Sequence, residues 1–330
     1  MSICGVMQMD VGVIGTGVMG KNHVRVYSEL KNVGDVIVYD INTDAAAEVA
    51  QHTGANVAGS VEELFRQVDA VSICVPTQYH YETALKAAHA GVDMLIEKPV
   101  CLRSAEAIAL CRKLPEDLVV GVGHIERFNP IVKEIRRIVK DPVYVEIKRH
   151  NPASMRISGS SVVEDLMIHD IDILFNNCCF RKPYSLSCSG NDDICGALFD
   201  FEDFPVYLSA SRKASKKIRM VYIEENDFTI EGDFMTQEVY IHRKPEQYSQ
   251  ESDRYVQENV VEKVMVGKVE PLKMELSTFI RCAKEGRAFP ITPVQAIRNV
   301  QICEEIKQKC LKRSEVHQDE RQCIQTEGSL

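Results

Sequence analysis

The chain of 330 residues has no tryptophan, and its twelve cysteines include no Cys-x-x-Cys pair. Structural zinc sites draw on closely spaced ligand pairs, so a zinc-finger or zinc-ribbon architecture is excluded, and adjacent Cys178 and Cys179 are poorly arranged to share one ion. No metal is expected, and the cysteines read as reduced, small core residues. No apolar run approaches the roughly 20 residues of a membrane-spanning helix. The start, MSICGVMQMD, lacks the basic-then-apolar layout of a signal peptide, and a cytoplasmic protein is expected. Positive charge is short as well. A formal net charge of -9 argues against broad nucleic-acid binding, which relies on clustered Lys and Arg to replace counterions.

What is present suits a soluble globular protein of roughly two domains. The apolar run Val11, Val13, Ile14 leads directly into GTGVMG, Gly15 to Gly20. A strand that ends in glycines and enters a helix leaves unpaired backbone N–H groups where a phosphate can sit. In such a turn Gly15 permits the tight bend, Gly17 lets the backbone approach a pyrophosphate, and Gly20 lets the helix lie close on the strand. Thr16, Val18 and Met19 complete the loop. Glycines alone also serve ordinary turns, so the context decides. Val24, Tyr27 and Leu30 form one helical stripe, and the run Val36 to Tyr39 closes a strand-helix-strand unit ending at Asp40. A carboxylate at that distance accepts hydrogen bonds from the adenosine ribose, although Asp40 is also placed to cap a helix starting near Thr43. From Ile41 to Ala50 there is neither Arg nor Lys, and a ribose phosphate would need one. NAD, rather than NADP, is the expected cofactor.

Further apolar strands are expected at Asn56 to Ala58, Ala70 to Val75, Met94 to Glu97 and Val119 to Gly123, with helical patterns between them. Such alternation means a doubly wound parallel sheet, a Rossmann domain over residues 9–126, with its ligand beyond the carboxyl ends of the strands. Those ends carry Pro76, Thr77 and His80, then Glu97, Lys98 and Pro99, then Arg127 and Asn129. From Val143 the period changes to two, and closely spaced strands through Arg243 read as a largely antiparallel open sheet in an α+β domain over residues 127–311. Lys244 to Glu262 reads as an irregular excursion, and residues 1–8 and 312–330 are expected to be flexible.

GTGVMG with Asp40, VPTQYHYETALKAAHAGVDMLIEKP, GHIERFNP and DLMIHDID together resemble the glucose-fructose oxidoreductase, inositol dehydrogenase and rhizopine-catabolism (Gfo/Idh/MocA) family of NAD(P)-dependent oxidoreductases. The likeness covers nearly the whole chain. Within the family, GHIERFNP followed by RHNPASMRI and EDLMIHDIDI most resembles the UDP-N-acetylglucosamine 3-dehydrogenase group. The resemblance implies a homo-oligomer, dimer or tetramer, using the outer face of the second sheet, where Tyr144 and Tyr207 lie; an ordinary solvated face fits that composition as well. It also implies a cis peptide before Pro99.

Spacings of four and three residues put Asp165, His169 and Asp172 on one face of a helix that is otherwise apolar. That stripe must meet a cavity, a partner or solvent. With the family likeness it becomes a catalytic wall: His169 as the base toward a sugar hydroxyl, Asp165 orienting it, and Lys98 stabilising charge on the same oxygen or relaying its proton. The implied enzyme passes a hydride from that carbon to NAD, most simply from the 3-position of a UDP-N-acetylhexosamine. Arg149, Asn151 and Arg156 are placed to hold a diphosphate, with Arg127 and Asn129 beside them, and the two arginines are equally readable as surface charges. Leu166 follows Asp165 where many family members have glycine, so the pocket is expected to differ from that of sugar-alcohol dehydrogenases. The alternatives are an inositol or hexose dehydrogenase of the same family and a dinucleotide-sensing regulator without turnover.

Overall fold

The computed structural model describes residues 8–152, 160–177, 183–244, 248–251, 254–257 and 259–327. The chain divides into two units, the first formed by residues up to Phe128 together with Val269–Gln301, the second by Asn129–Lys268 and Ile302 onward.

The first unit opens with β1 (Met9–Ile14), α1 (Val18–Glu29), β2 (Val33–Tyr39), α2 (Thr43–Thr53), β3 (Asn56–Val57), α3 (Val61–Phe65) and β4 (Ala70–Ile73). It continues with α4 (His80–His89), β5 (Asp93–Glu97), α5 (Ser104–Cys111) and β6 (Val120–Gly123). The strands pair in parallel in the order β3-β2-β1-β4-β5-β6. This is the expected doubly wound sheet, with its order reversing between β1 and β4. β4 and β5 are buried nearly throughout, and Ala70, Val71, Ile73, Met94, Leu95 and Ile96 supply their apolar surface, as strands covered on both faces require.

In the second unit come α6 (Pro130–Ile138), β7 (Tyr144–His150) and α7 (Ile168–Asp172), then β8 (Tyr184–Gly190), β9 (Ile194–Phe201), β10 (Phe204–Ser211), β11 (Ile218–Glu224), β12 (Phe228–Asp233) and β13 (Glu238–Arg243). β14 (Tyr248–Glu251) and β15 (Arg254–Gln257) form a separate pair, and β16 (Val261–Lys263) joins the main sheet. That sheet runs β16-β13-β12-β11-β7-β10-β9-β8. β7 and β10 pair in parallel and the other neighbours antiparallel. Alternate residues, such as Val145, Ile147, Val206 and Leu208, enter a core that includes Phe175, Phe199 and Phe201. The hairpin-sized strands in 248–263 replace the expected irregular excursion, because Tyr248, Tyr255, Val256 and Val261 supply β-forming residues among the polar ones.

The chain closes with α8 (Pro271–Glu285) and α9 (Pro293–Glu327). Two boundaries differ from the sequence expectation. Residues 269–301 belong to the first unit rather than the second, because Leu272, Leu276, Phe279 and Ile280 of α8 bury in the Rossmann core and Val122 donates its N–H to Ile291 O at 3.1 Å. The stretch 312–327, expected to be flexible, continues α9. It contains neither Gly nor Pro, so nothing in it interrupts a helix.

Candidate functional site

The phosphate turn is built as its glycines require. Gly15 has φ +91, where a side chain is disfavoured, and a Cβ on it would lie 2.7 Å from Cys74 O. A Cβ on Gly20 would collide with Gly15 O. Around Gly17 such an atom meets open space, since that residue lines a cleft of about 660 Å³ with Gly15, Met19, Asp40, Val75 and Pro76. Val18 is 82% exposed at the first turn of α1. Backbone N–H groups, a glycine turn and a roomy cleft on the topological switch point are the parts a dinucleotide needs.

Asp40 lies in the same cleft. Its Oδ2 accepts from Thr16 N at 2.6 Å and Thr16 Oγ1 at 2.9 Å, and its Oδ1 accepts from Asn42 N at 2.8 Å. Burial works against its ionisation, but these donors outweigh it and hold the carboxyl below its ordinary value. The capping alternative for Asp40 fails because Asn42 caps α2 through Ala45 N. Thr16 is therefore buried under Asp40 rather than open to the cleft.

Lys98 follows β5, half-buried, with a cis peptide to Pro99. Two buried histidines, neither of which showed a catalytic pattern in the sequence, fix this corner. His23 of α1, fully buried, contacts Glu97 Oε1 through Nε2 at 3.0 Å, and Glu97 Oε2 accepts from Lys98 N at 3.2 Å. Burial opposes the Glu97 charge, yet the His23 contact prevails and holds this carboxyl below its ordinary value. Glu97, expected to touch cofactor, thus faces into the unit and anchors the backbone of Lys98. His80, expected to do likewise, has its ring nitrogens 2.9 Å from Pro99 O and 2.9 Å from Val75 O. It is 1% exposed, so it ties together the loops after β4 and β5. Pro76 is exposed and Thr77 half-buried, opening a short turn before α4.

Burial pushes the His80 pKa below 6.5 although both carbonyls favour the charged form. A depressed histidine stabilises the fold fully above the unfolded value and loses that contribution as pH falls through the folded one. The Tm of the parent is expected to drop between about pH 7.5 and 5, and His80→Gln to flatten that drop. An equally steep profile in the variant would contradict the assignment.

At the end of the first unit Arg127 donates Nη1–H to Gln295 Oε1 at 3.1 Å. Asn129, expected to face substrate, is instead 3% exposed; it donates Nδ2–H to Phe234 O at 3.0 Å and caps α6. An Asn directly before Pro130 is a helix-start signal.

In the second unit α7 is flanked by wider turns at Val163–Met167 and Ile173–Asn177. The first of these turns holds Asp165, so the uniform 3.6-residue phase relating it to His169 is interrupted there, whereas His169 and Asp172 share the regular turns of α7. Asp165 and His169 are half-buried, whereas Asp172 is 1% exposed and accepts from Asn176 Nδ2 at 3.2 Å.

Arg149 corrects the expectation most. It is 1% exposed and donates Nε–H at 2.9 Å and Nη2–H at 2.7 Å to Asp170 Oδ1, with its guanidinium 5.3 Å from the centre of the Phe234 ring. A guanidinium committed to a buried carboxylate is not offered to a diphosphate. The sequence carried the signal: Val145, Ile147 and Arg149 share a parity in β7, so one inward face holds all three. Asn151, half-buried, donates its backbone N–H to Ser211 O at 2.8 Å. Arg156 lies outside the described residues. Among the described residues no cluster suited to a metal ion occurs, and no helix is long and apolar enough to cross a membrane.

A family model for an oxidoreductase family with an NAD-binding Rossmann fold matches residues 9–125. The chain is 40% identical over 169 residues to a UDP-N-acetylglucosamine 3-dehydrogenase of Acidithiobacillus ferrooxidans, covering 51% of this chain and 53% of that protein. It is 29% identical over 180 residues to an inositol 2-dehydrogenase of Cereibacter sphaeroides, again covering 51% and 53%. The chain thus spans about half the length of these curated relatives. The solved structure of UDP-N-acetylglucosamine 3-dehydrogenase GnnA from Acidithiobacillus ferrooxidans superposes with a TM-score of 0.81 at 29% identity, covering 92% of this chain and 97% of the other. A levoglucosan dehydrogenase in complex with NADH and levoglucosan, 18% identical with a TM-score of 0.78 and covering 93% of this chain and 98% of that one, shares the fold.

Proposed function

We propose that this chain, whose residues 9–125 form an NAD-binding Rossmann domain of the Gfo/Idh/MocA oxidoreductase family, oxidises a sugar secondary hydroxyl to a ketone. The substrate we infer is a UDP-N-acetylhexosamine, oxidised at its 3-hydroxyl. The observation that carries the reading is the glycine turn with its ordered Asp40 on the switch-point cleft, joined to the likeness to UDP-N-acetylglucosamine 3-dehydrogenase.

NAD supplies the hydride acceptor when bound. The turn Gly15–Gly20 would hold its pyrophosphate and Asp40 its adenosine ribose. His169 takes the hydroxyl proton in our reading, with Asp165 as its orienting partner. Lys98, whose backbone N–H is held by Glu97, stabilises charge on the reacting oxygen. With Arg149 committed to Asp170, recognition of a diphosphate falls to other groups, among which we include Arg127, Asn151 and Arg156. We further propose a homo-oligomer using the outer face of the second sheet, where the rings of Tyr144 and Tyr222 meet edge to face at 6.3 Å, and a cytoplasmic setting.

Asp40→Ala is expected to weaken NAD binding by about 1.5–3 kcal/mol, roughly 10- to 150-fold in Kd, because hydrogen bonds to an ionised carboxylate are lost. Calorimetric titration of NAD checks this. NAD affinity equal to the parent's would remove Asp40 from the cofactor site.

The likeness to inositol 2-dehydrogenases keeps a free polyol as the second reading. NADH formation on mixing the protein and NAD with UDP-N-acetylglucosamine or myo-inositol in parallel separates the two. We expect reduction with the nucleotide sugar, inhibited by UDP. Reduction with inositol alone, untouched by UDP, would replace the UDP-sugar reading.

A further inference from the structure

Three thiols that the proposed activity does not use meet inside the second unit. Cys188 lies on β8, Cys195 on β9 and Cys310 on α9. Cys310 Sγ is 3.3 Å from Cys188 Sγ and 3.9 Å from Cys195 Sγ. All three are reduced, with Cys188 7% and Cys195 1% exposed and Cys310 half-buried. We propose that Cys310 and Cys188 form a reversible redox couple, in which a peroxide oxidises Cys310 and Cys188 closes a disulfide that staples α9 to β8.

The geometry gives each sulfur a distinct place. Cys188 and Cys195 sit on paired strands two residues out of register, since Cys188 opposes Ala197 and Cys195 opposes Gly190. Such diagonal neighbours are about 7–8 Å apart at the backbone, longer than a disulfide ordinarily spans. Cys310 reaches both from a different element. It is also the one of the three that a small oxidant meets without opening the core. Burial pushes Cys195 up to about 11, which keeps it a thiol near neutrality, and Cys188 is the nearer partner. The elements are already held together at this point: Cys188 Sγ lies 3.3 Å from Ile306 O, and Tyr184 of β8 donates its hydroxyl to Glu305 of α9 at 3.0 Å. Closing the bond from 3.3 Å to the roughly 2.0 Å of a disulfide therefore asks for side-chain rotation rather than rearrangement of the sheet.

The chemistry balances in two steps. The Cys310 thiolate attacks hydrogen peroxide, cleaving its O–O bond to give a sulfenic acid and one water after proton transfer. The Cys188 sulfur then attacks the Cys310 sulfur, forming the S–S bond and releasing the hydroxyl as a second water. Two electrons pass from the two thiols to the peroxide. A dithiol reductant reverses the step by exchange. The bond would close a loop between residues 122 apart in sequence, so it restrains the unfolded chain strongly.

The full chain is treated with a stoichiometric amount of hydrogen peroxide without denaturant, alkylated after unfolding, and mapped by mass spectrometry without reduction. We expect a peptide pair joined through Cys188 and Cys310, loss of both sites from the alkylated set, a raised Tm, and recovery of all three effects' starting values with dithiothreitol. Cys195→Ser should leave the cross-link intact, and Cys188→Ser should leave a sulfenic acid on Cys310 that dimedone captures. The proposal is overturned if parent Cys310 is recovered alkylated, over-oxidised without a partner, or joined to any cysteine other than Cys188. None of these outcomes depends on NAD or sugar turnover, so failure here and failure of the proposed activity are separable.

Discussion

Lys98→Ala and His169→Ala are each expected to lower turnover by about 10²–10⁴-fold, the range over which a positioned acid, base or charge-stabilising group contributes. NAD affinity should stay close to that of the parent, because the pyrophosphate and ribose contacts we assign lie on Gly15–Gly20 and Asp40. Neither requirement follows from the cofactor turn alone. A regulator that only senses dinucleotide needs neither side chain. Single-turnover measurement of hydride transfer, with bound NAD quantified in the same samples, separates lost chemistry from lost cofactor. If the two groups act on one proton transfer, the double variant should be scarcely slower than the worse single variant. Full turnover by Lys98→Ala would sink the mechanism while leaving the cofactor site standing.

Asp170→Ala is expected to destabilise the second unit by about 3–5 kcal/mol, because it leaves the Arg149 guanidinium buried without its carboxylate. Both side chains are at most 1% exposed and share two donor contacts at 2.9 and 2.7 Å. Replacing the pair together by apolar residues of similar volume should recover much of the loss, since the desolvation of both charges then disappears as well. Urea denaturation of the single and double variants measures this directly. If Asp170→Ala left the denaturation midpoint unchanged while the double replacement lowered it, Arg149 would not need its partner, and a ligand-binding role would return.

The first unit was legible because its signals are local. Glycines at three fixed positions, a carboxylate closing the second strand and short, largely apolar runs alternating with helical patterns lie within a few residues of one another, and the structure reproduces the expected sheet. His23, His80 and Glu97 were harder: what assigns them is which carbonyl or carboxylate they face across long sequence separations, as with the 74 residues between His23 and Glu97. In the second unit the alternation of β7 was read for its apolar members, and extending it two residues would have turned Arg149 inward. The surroundings of Asp172 were illegible for another reason. Its burial and the bond it accepts from Asn176 depend on what packs around α7, and no propensity in VEDLM announces the wide turn that holds Asp165. The assignment of residues 269–301 was lost because an amphipathic helix such as α8 shows that it packs, not on which core.

The central claim is that a hydride leaves the 3-carbon of a UDP-N-acetylhexosamine for NAD. Its most direct test uses UDP-N-acetylglucosamine carrying deuterium at that carbon, incubated with the protein and NAD, with the nicotinamide product isolated for mass spectrometry. The account predicts NADH that carries the deuterium, slower formation than with unlabelled substrate when chemistry limits the rate, and a ketone at the 3-position of the sugar. NADH formed without deuterium, or labelled only when a different carbon or a free polyol bears the isotope, would contradict it.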